Sequence, residues 1–133
     1  MNNRKRACVI IIDNDKILLM HRIKDWKEYY AIIWGWMENW ESPEQTAIRE
    51  VKEETNLDVK LNWLFCEISD IKSHAFYYIA KNFSWKEKLS WPEAKRNNKD
   101  NRYELKRIGK EDLKDIPLVP EEIKDKIIEY FKL

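Results

Sequence analysis

Apolar residues along this chain fall in short, strongly β-branched runs split by polar turns, with helical spacing confined to two stretches. "RACVIIID" (6–13) and "KILLMHR" (16–22), joined by an "NDK" turn, predict a hairpin. A polar turn then leads into a short strand at Tyr29–Ile33. From Ser42 the period changes to that of a helix. Ser42 stands at the N-cap, Pro43 at the first helical position is pre-set in φ, and Gln45 completes an S-x-x-Q capping box. Ala47, Ile48, Val51 and Thr55 mark its inward stripe, and Asn56, which tolerates the left-handed conformation, is its stop.

"DVKLNWLFCEIS" (58–69) and "SHAFYYIAKNF" (73–83) predict two antiparallel strands. Residues 84–103 are polar and broken by Pro92, so they read as a long surface loop, and "YELKRI" (103–108) as a last short strand. "KEDLKDI" reads as a helical turn and "VPEEIKDKIIEYFKL" as a C-terminal helix, with Ile123, Ile127, Ile128 and Phe131 on its buried side. There are no repeats and no linker. The order of elements predicts one domain over residues 1–133, an α/β fold with helices packed on a mixed sheet.

Composition narrows the function classes. The chain has 133 residues and a net charge of +1, from 25 basic and 24 acidic residues, so no global field draws it to a nucleic-acid polymer. The longest apolar runs are strand-sized, which argues against a membrane span and a signal peptide and for a cytoplasmic protein. Cys8 and Cys66 lie in strand-like apolar surroundings and read as reduced core thiols. His21 and His74 are lone strand residues without a second ligand at metal-binding spacing, so structural roles are favoured. Tyr77 and Tyr78 alternate across a strand, one toward the core and one toward an open face. Lys24, Lys27, Arg96 and Arg102 flank the expected cleft, with solvated surface as their default.

The chemistry concentrates in "REVKEET". Glu50, Glu53 and Glu54 stand at i, i+3 and i+4, so they share a helix face and repel one another. Glu53 and Glu54 also occupy the last turn, where the helix dipole favours cations. Two broken local rules in one place point to function. Clustered hard oxygens suit Mg²⁺ or Mn²⁺, which keep open positions for substrate phosphates. The competing reading is a solvated acidic face eased by Lys52.

Read from Gly35, the segment is G-x5-E-x7-R-E-V-x-E-E-x-N-L, carried by Gly35, Glu41, Arg49, Glu50, Val51, Glu53, Glu54 and Leu57. This resembles the signature of the Nudix hydrolases, departing from it only at Asn56, where the family has glycine. The strand before the loop, the segment around 92–105 and the approach to the last helix also resemble small bacterial members of that family. The resemblance implies an α/β/α sandwich with a mixed β-sheet and helices on both faces. It also implies a Mg²⁺-dependent pyrophosphohydrolase (Mn²⁺ as the alternative) that cleaves a nucleoside diphosphate linked to another group. Carried over, Glu50, Glu53 and Glu54 are metal ligands, and Gly35 admits the backbone and presents a carbonyl. Arg49 holds the glutamates, Glu41 is a supporting carboxylate, and Glu38 is an outer ligand or plain surface. The general base is a helix glutamate, Glu93 or Glu104. The partner expected is a small nucleotide, and a homodimer is left open.

One feature conflicts with that pattern. Glycine averages about 7% in globular chains, yet here there are 2 Gly and 7 Trp. Trp34, Trp36 and Trp40 stand where the family carries loop glycines, as do Trp26, Trp85 and Trp91, and Trp63 is placed less securely. A bulky residue at φ > 0 is strained. Three readings compete: tryptophans that stack on a nucleobase, a blocked loop in a non-catalytic binding module, or UGA codons decoded as glycine in the source. The third explains both the excess and the scarcity with one cause, and UGG codons at Trp34, Trp36 and Trp40 would refute it. It leaves Ile33, where the family has proline, unexplained.

Overall fold

The computed structural model describes residues 4–82 and 101–132. Strand β1 (Arg4–Asp13) and β2 (Lys16–Lys24) form the expected hairpin, both longer than the apolar runs alone indicate. Next come β3 (Lys27–Ala31), β4 (Ile33–Trp36) and helix α1 (Pro43–Thr55). Strands β5 (Lys60–Ser69) and β6 (Ser73–Asn82) pair antiparallel. Strand β7 (Asn101–Gly109), a 3₁₀ turn (Lys110–Asp115), β8 (Leu118–Val119) and helix α2 (Glu121–Phe131) complete the order.

Among the described residues the strands form one mixed eight-stranded sheet, ordered β5-β6-β1-β2-β3-β8, with β4 paired to β1 and β7 to β2. The β1–β6 and β3–β8 pairings are parallel and the rest antiparallel. Period-two alternation along β1 splits its apolar residues between two cores. Ala7, Val9 and Ile11 join Leu18, Met20, Ala47 and Val51 under α1. Cys8, Ile10 and Ile12 join Leu113, Ile123 and Ile127 under α2. Helices therefore cover both faces, as the α/β/α expectation requires.

Several expectations need correction. The run "YYAII" is not one strand: Ile32 separates β3, which pairs with β2, from β4, which pairs with β1. The tryptophan-rich stretch after it, expected as a loop, is therefore partly strand. Ile48 is 43% exposed, and Thr46 and Glu54 take buried places on α1 instead. No open sheet face receives a tyrosine, because Tyr77 packs toward α2 and Tyr78 toward α1. The last helix begins after Pro120, with Leu118–Val119 extended. Most of the expected surface loop lies outside the described residues, but 101–103 belong to β7.

Both thiols are free, and burial pushes Cys8 up to about 12, which fits an inert core thiol. His21 stacks on Tyr30 at 4.5 Å, and His74 is held between the Ser69 hydroxyl and the Glu67 carboxylate. No helix of the described residues is long and apolar enough to cross a membrane.

Local backbone geometry separates the tryptophans. Trp34, Trp36 and Trp40 avoid positive φ, whereas Asp25 (φ 52°) and Trp26 (φ 69°) form the two-residue connection between β2 and β3. Two successive left-handed residues make a type I′ turn, which favours Asp-Gly. Trp26 is 96% exposed, so no packing offsets its backbone strain. Trp26→Gly is expected to raise unfolding stability by about 1 kcal/mol, read as a higher urea midpoint at unchanged slope. An unchanged or lowered midpoint would mean that the turn carries no such strain.

Candidate active site

The site begins with the local logic of α1. The capping box forms as expected: Gln45 N–H donates to Ser42 Oγ at 3.2 Å, and Ser42 N–H to the Gln45 side chain at 2.8 Å. At the other end Asn56 adopts φ 62° and its N–H returns to the Lys52 carbonyl. These two ends fix where the helix starts and stops, and the i, i+3, i+4 spacing within it sets the directions of Glu50, Glu53 and Glu54.

Gly35 on β4 sits against that helix. Its φ is not positive, so the requirement is space and not backbone freedom. A methyl group at Gly35 would overlap the Glu50 carboxylate. The closeness of β4 and α1 therefore depends on a missing side chain at one position.

Arg49 organises the carboxylates. Its Nε donates to Glu41 at 2.6 Å and its Nη2 to the other Glu41 oxygen at 3.0 Å, a bidentate fork. Nη1 reaches Glu50 at 2.9 Å and both oxygens of Glu53 at 3.3 Å. Nη2 also donates to the Trp36 carbonyl at 3.1 Å, tying the helix to the end of β4.

The Glu41 carboxylate also accepts from Thr46 Oγ1 at 2.8 Å and from the Glu38 N–H at 3.0 Å. With the Arg49 hydrogen bonds as the main cause, its pKa falls to about 2, so it stays ionised across the physiological range. Arg49 is correspondingly held more firmly protonated, chiefly through Glu41. Sequence reading missed Thr46 and the Trp36 carbonyl: the first carries no distinctive spacing signal, and a backbone carbonyl has no residue identity.

The three helix glutamates occupy different depths. Glu54 is buried, Glu50 lies beneath Gly35 and Glu53 faces outward, with side-chain exposures of 14% at Glu50 and 53% at Glu53. Burial raises the pKa of Glu50, and the neighbouring Glu53 charge adds to it. That is the mark of negative charge whose desolvation is incompletely offset. Lys52 does not ease it, since it pairs with Asp58 at 3.2 Å and reaches the Asn56 carbonyl. Among the described residues no three carboxylates, thiols or imidazoles converge on one point as a formed metal site. Between Glu50 and Glu53 stands the Arg49 guanidinium.

The remaining expected residues are dispersed. Glu104 pairs in register with His21 on β2, with its carboxylate 3.6 Å from His21 Nδ1 and 3.4 Å from Lys106. His21 alternates with Ile17 and Leu19 and so faces the α2 side, opposite α1. Lys24 and Lys27 are exposed at the ends of the β2–β3 turn. Glu93, Arg96, Trp85 and Trp91 lie outside the described residues, as does the side chain of Arg102.

Trp34 and Trp36 turn away from Gly35 toward the α2 side. They meet edge to face at 5.0 Å, with Arg6 over the Trp34 ring at 4.8 Å and Arg4 over the Trp36 ring at 3.8 Å. Trp34 lines a cavity of about 280 Å³ with Tyr29, Tyr77, Arg6 and Pro120.

Comparison with known proteins agrees with this architecture. The NUDIX domain profile matches residues 2–123. The structure resembles MutT from work on Aliivibrio salmonicida and Vibrio cholerae (TM-score 0.76, 16% identity, 97% of this chain and 98% of that one). It also resembles the Escherichia coli ORF135 protein (TM-score 0.74, 19% identity, 97% and 91% covered). A third likeness is to an ADP compounds hydrolase (TM-score 0.71, 19% identity, 98% and 74% covered). No curated protein matches the sequence. With the profile spanning nearly the whole chain and its motif residues gathered around Arg49, the protein belongs to the Nudix hydrolase family.

Proposed function

We propose that the protein is a Mg²⁺-dependent pyrophosphohydrolase that splits a nucleoside diphosphate linked to a further group. The observation that carries this reading is the Arg49 clamp, which ties Glu41 of the preceding loop to Glu50 and Glu53 of α1, with Glu50 against Gly35. Oxygen-only donors, uncompensated charge at Glu50 and a strand pressed close to the helix suit a hard divalent ion. Glu50, Glu53 and Glu54 would hold it, with Arg49 giving up its place between the first two. Bound there, Mg²⁺ (or Mn²⁺) would neutralise charge developing on the phosphoryl oxygens.

The chain's own residues do the rest. Glu41, which accepts from Arg49, Thr46 and the Glu38 amide, positions Arg49. Arg49, anchored by Glu41 and the Trp36 carbonyl, holds Glu50 and Glu53 in place until the ion takes its position between them. Glu53, the most exposed of the three, is the helix carboxylate best placed to take a proton from water. As the water oxygen bonds to phosphorus, the bond to the bridging anhydride oxygen breaks, and that oxygen leaves with the other half of the substrate. Glu104 makes a poorer base, because it stands on the opposite face of the sheet beside His21.

The alternative, a blocked non-catalytic module, loses its support in the loop. Trp34 and Trp36 point away from Glu50, and Trp40 is 79% exposed. Incubation with a mixed panel of nucleoside triphosphates, ADP-ribose and dinucleoside polyphosphates tests the reading. Nucleoside monophosphate plus the complementary phosphorylated half is expected, only when Mg²⁺ is present. Intact substrates throughout, with Mg²⁺ at millimolar levels, would favour the binding module.

A further inference from the structure

The Arg49 clamp works only while Glu41 keeps its own orientation, and a buried side chain outside the family motif bears on that. Thr46 stands at one of the seven unspecified motif positions between Glu41 and Arg49, near the start of α1, and is fully buried. A threonine inside a helix ordinarily donates its hydroxyl proton to the carbonyl four residues earlier. Here that carbonyl, of Ser42, is 3.3 Å away, and the shorter contact, 2.8 Å, runs to Glu41 Oε1. One hydroxyl carries one proton, and the carboxylate, ionised across the physiological range, takes it. The same oxygen accepts from the Glu38 N–H and from Arg49 Nη2, both at 3.0 Å, while Oε2 accepts from Arg49 Nε at 2.6 Å. Of these donors, Arg49 is the group to be positioned and Glu38 lies on the exposed loop. Thr46 therefore ties the Glu41 carboxylate to the body of the helix.

That tie matters because Arg49 stands where a divalent ion would go. Its Nη1 lies 2.9 Å from Glu50 and 3.3 Å from Glu53. An ion taking that place leaves the guanidinium with Glu41 and the Trp36 carbonyl as its anchors. A fixed Glu41 makes that withdrawn position favourable. A carboxylate free to turn would follow the guanidinium and leave it competing with the metal. We infer that the Thr46 hydroxyl is a positioning group for the metal site: by fixing Glu41 it keeps Arg49 from competing with the ion for Glu50 and Glu53. The inference rests on the hydrolase reading for the identity of the ion and on the Thr46–Glu41 hydrogen bond for the rest. Thr46 is not itself a ligand and takes no part in bond breaking.

Mn²⁺ binding in the absence of nucleotide, followed by electron paramagnetic resonance, tests it on Thr46→Val and Thr46→Ser. Valine keeps the shape of the side chain and removes the hydroxyl, whereas serine keeps the hydroxyl. Loss of a group that orients a metal-site partner predicts a Kd for Mn²⁺ raised about tenfold in Thr46→Val and restored to within about twofold in Thr46→Ser. Half-saturation of turnover by Mg²⁺ should shift in parallel, with kcat at saturating metal within about threefold of wild type. A lower melting temperature with wild-type Mn²⁺ binding would assign Thr46 to helix packing alone and overturn the inference. Equal weakening in both variants would overturn it as well. If the valine variant melts below the assay temperature, Thr46→Ala, with its stronger helix propensity, takes its place. Weakened Mn²⁺ binding in a protein that hydrolyses nothing refutes hydrolysis alone. Mg²⁺-dependent turnover with wild-type metal dependence in Thr46→Val refutes the positioning role alone.

Discussion

Glu53→Gln is expected to lower Mg²⁺-dependent kcat by about 10³-fold or more, equivalent to roughly 4 kcal/mol of transition-state stabilisation. Glutamine keeps the size and the helix propensity of the position but removes the charge and the proton acceptor. Glu53 is half exposed and its described partner is Arg49 at 3.3 Å, so little packing is lost. Stability should remain close to wild type, because a single exposed ion pair contributes about 0–1 kcal/mol. Relief of repulsion with Glu50 acts in the other direction. The expected signature is thus a nearly inactive protein with an almost unchanged melting temperature. Full activity in this variant would remove Glu53 from both ligand and base roles. A collapse in stability would mean that the substitution reports on folding.

Gly35→Ala is the second large effect, and it separates two possible uses of a glycine. If the position needed a left-handed backbone, alanine would strain the strand. Gly35 has no positive φ, so that cost is absent. The overlap is instead with the distal atoms of Glu50, a flexible side chain that can swing aside. The fold is therefore expected to survive with a modest loss of about 1–3 kcal/mol. Activity should fall about 10²-fold, because displacement of a ligand by about 1 Å costs that much in a site built on positioning. Apparent affinity for Mg²⁺ should weaken in parallel, measurable as a shifted metal dependence of turnover. An alanine variant with wild-type metal dependence would show that Glu50 already sits elsewhere in solution.

How much of this was legible in the sequence depended on whether the determinants were local. The ends of α1 were, because Ser42, Pro43, Gln45 and Asn56 act within one turn of the backbone they cap. The spacing from Gly35 to Glu54 was legible for a similar reason: a helix converts separation into direction. The rotation of α1 about its own axis was not. Ile48, read as inward, is exposed, and Glu54, read only as part of a shared acidic face, is buried, while Gly35 leaves room for Glu50 against β4. The break at Ile32 was hidden as well, since "YYAII" is uniformly apolar and only the switch of partner from β2 to β1 divides it. Glu104 failed as a neighbour of the site for a topological reason. Its face is set by the pairing of β7 with β2, a contact between residues more than eighty positions apart.

The tryptophans illustrate the same limit from the other side. Their unusual number was plain in the sequence, but the strain expected of them falls on Trp26 alone among Trp26, Trp34, Trp36 and Trp40. Trp34 and Trp36 have strand conformations and arginine partners. Codon identity at Trp26 is consequently the most informative of the set, and a UGA there would join the turn geometry to the recoding explanation.

In the proposed reaction a divalent cation held by the α1 glutamates carries the hydrolysis. Turnover of the best panel substrate, followed against Mg²⁺ concentration after exhaustive EDTA treatment, tests it most directly. No turnover in EDTA, a saturable rise with added Mg²⁺ and full recovery on return of the metal are expected. Undiminished turnover in EDTA would contradict it.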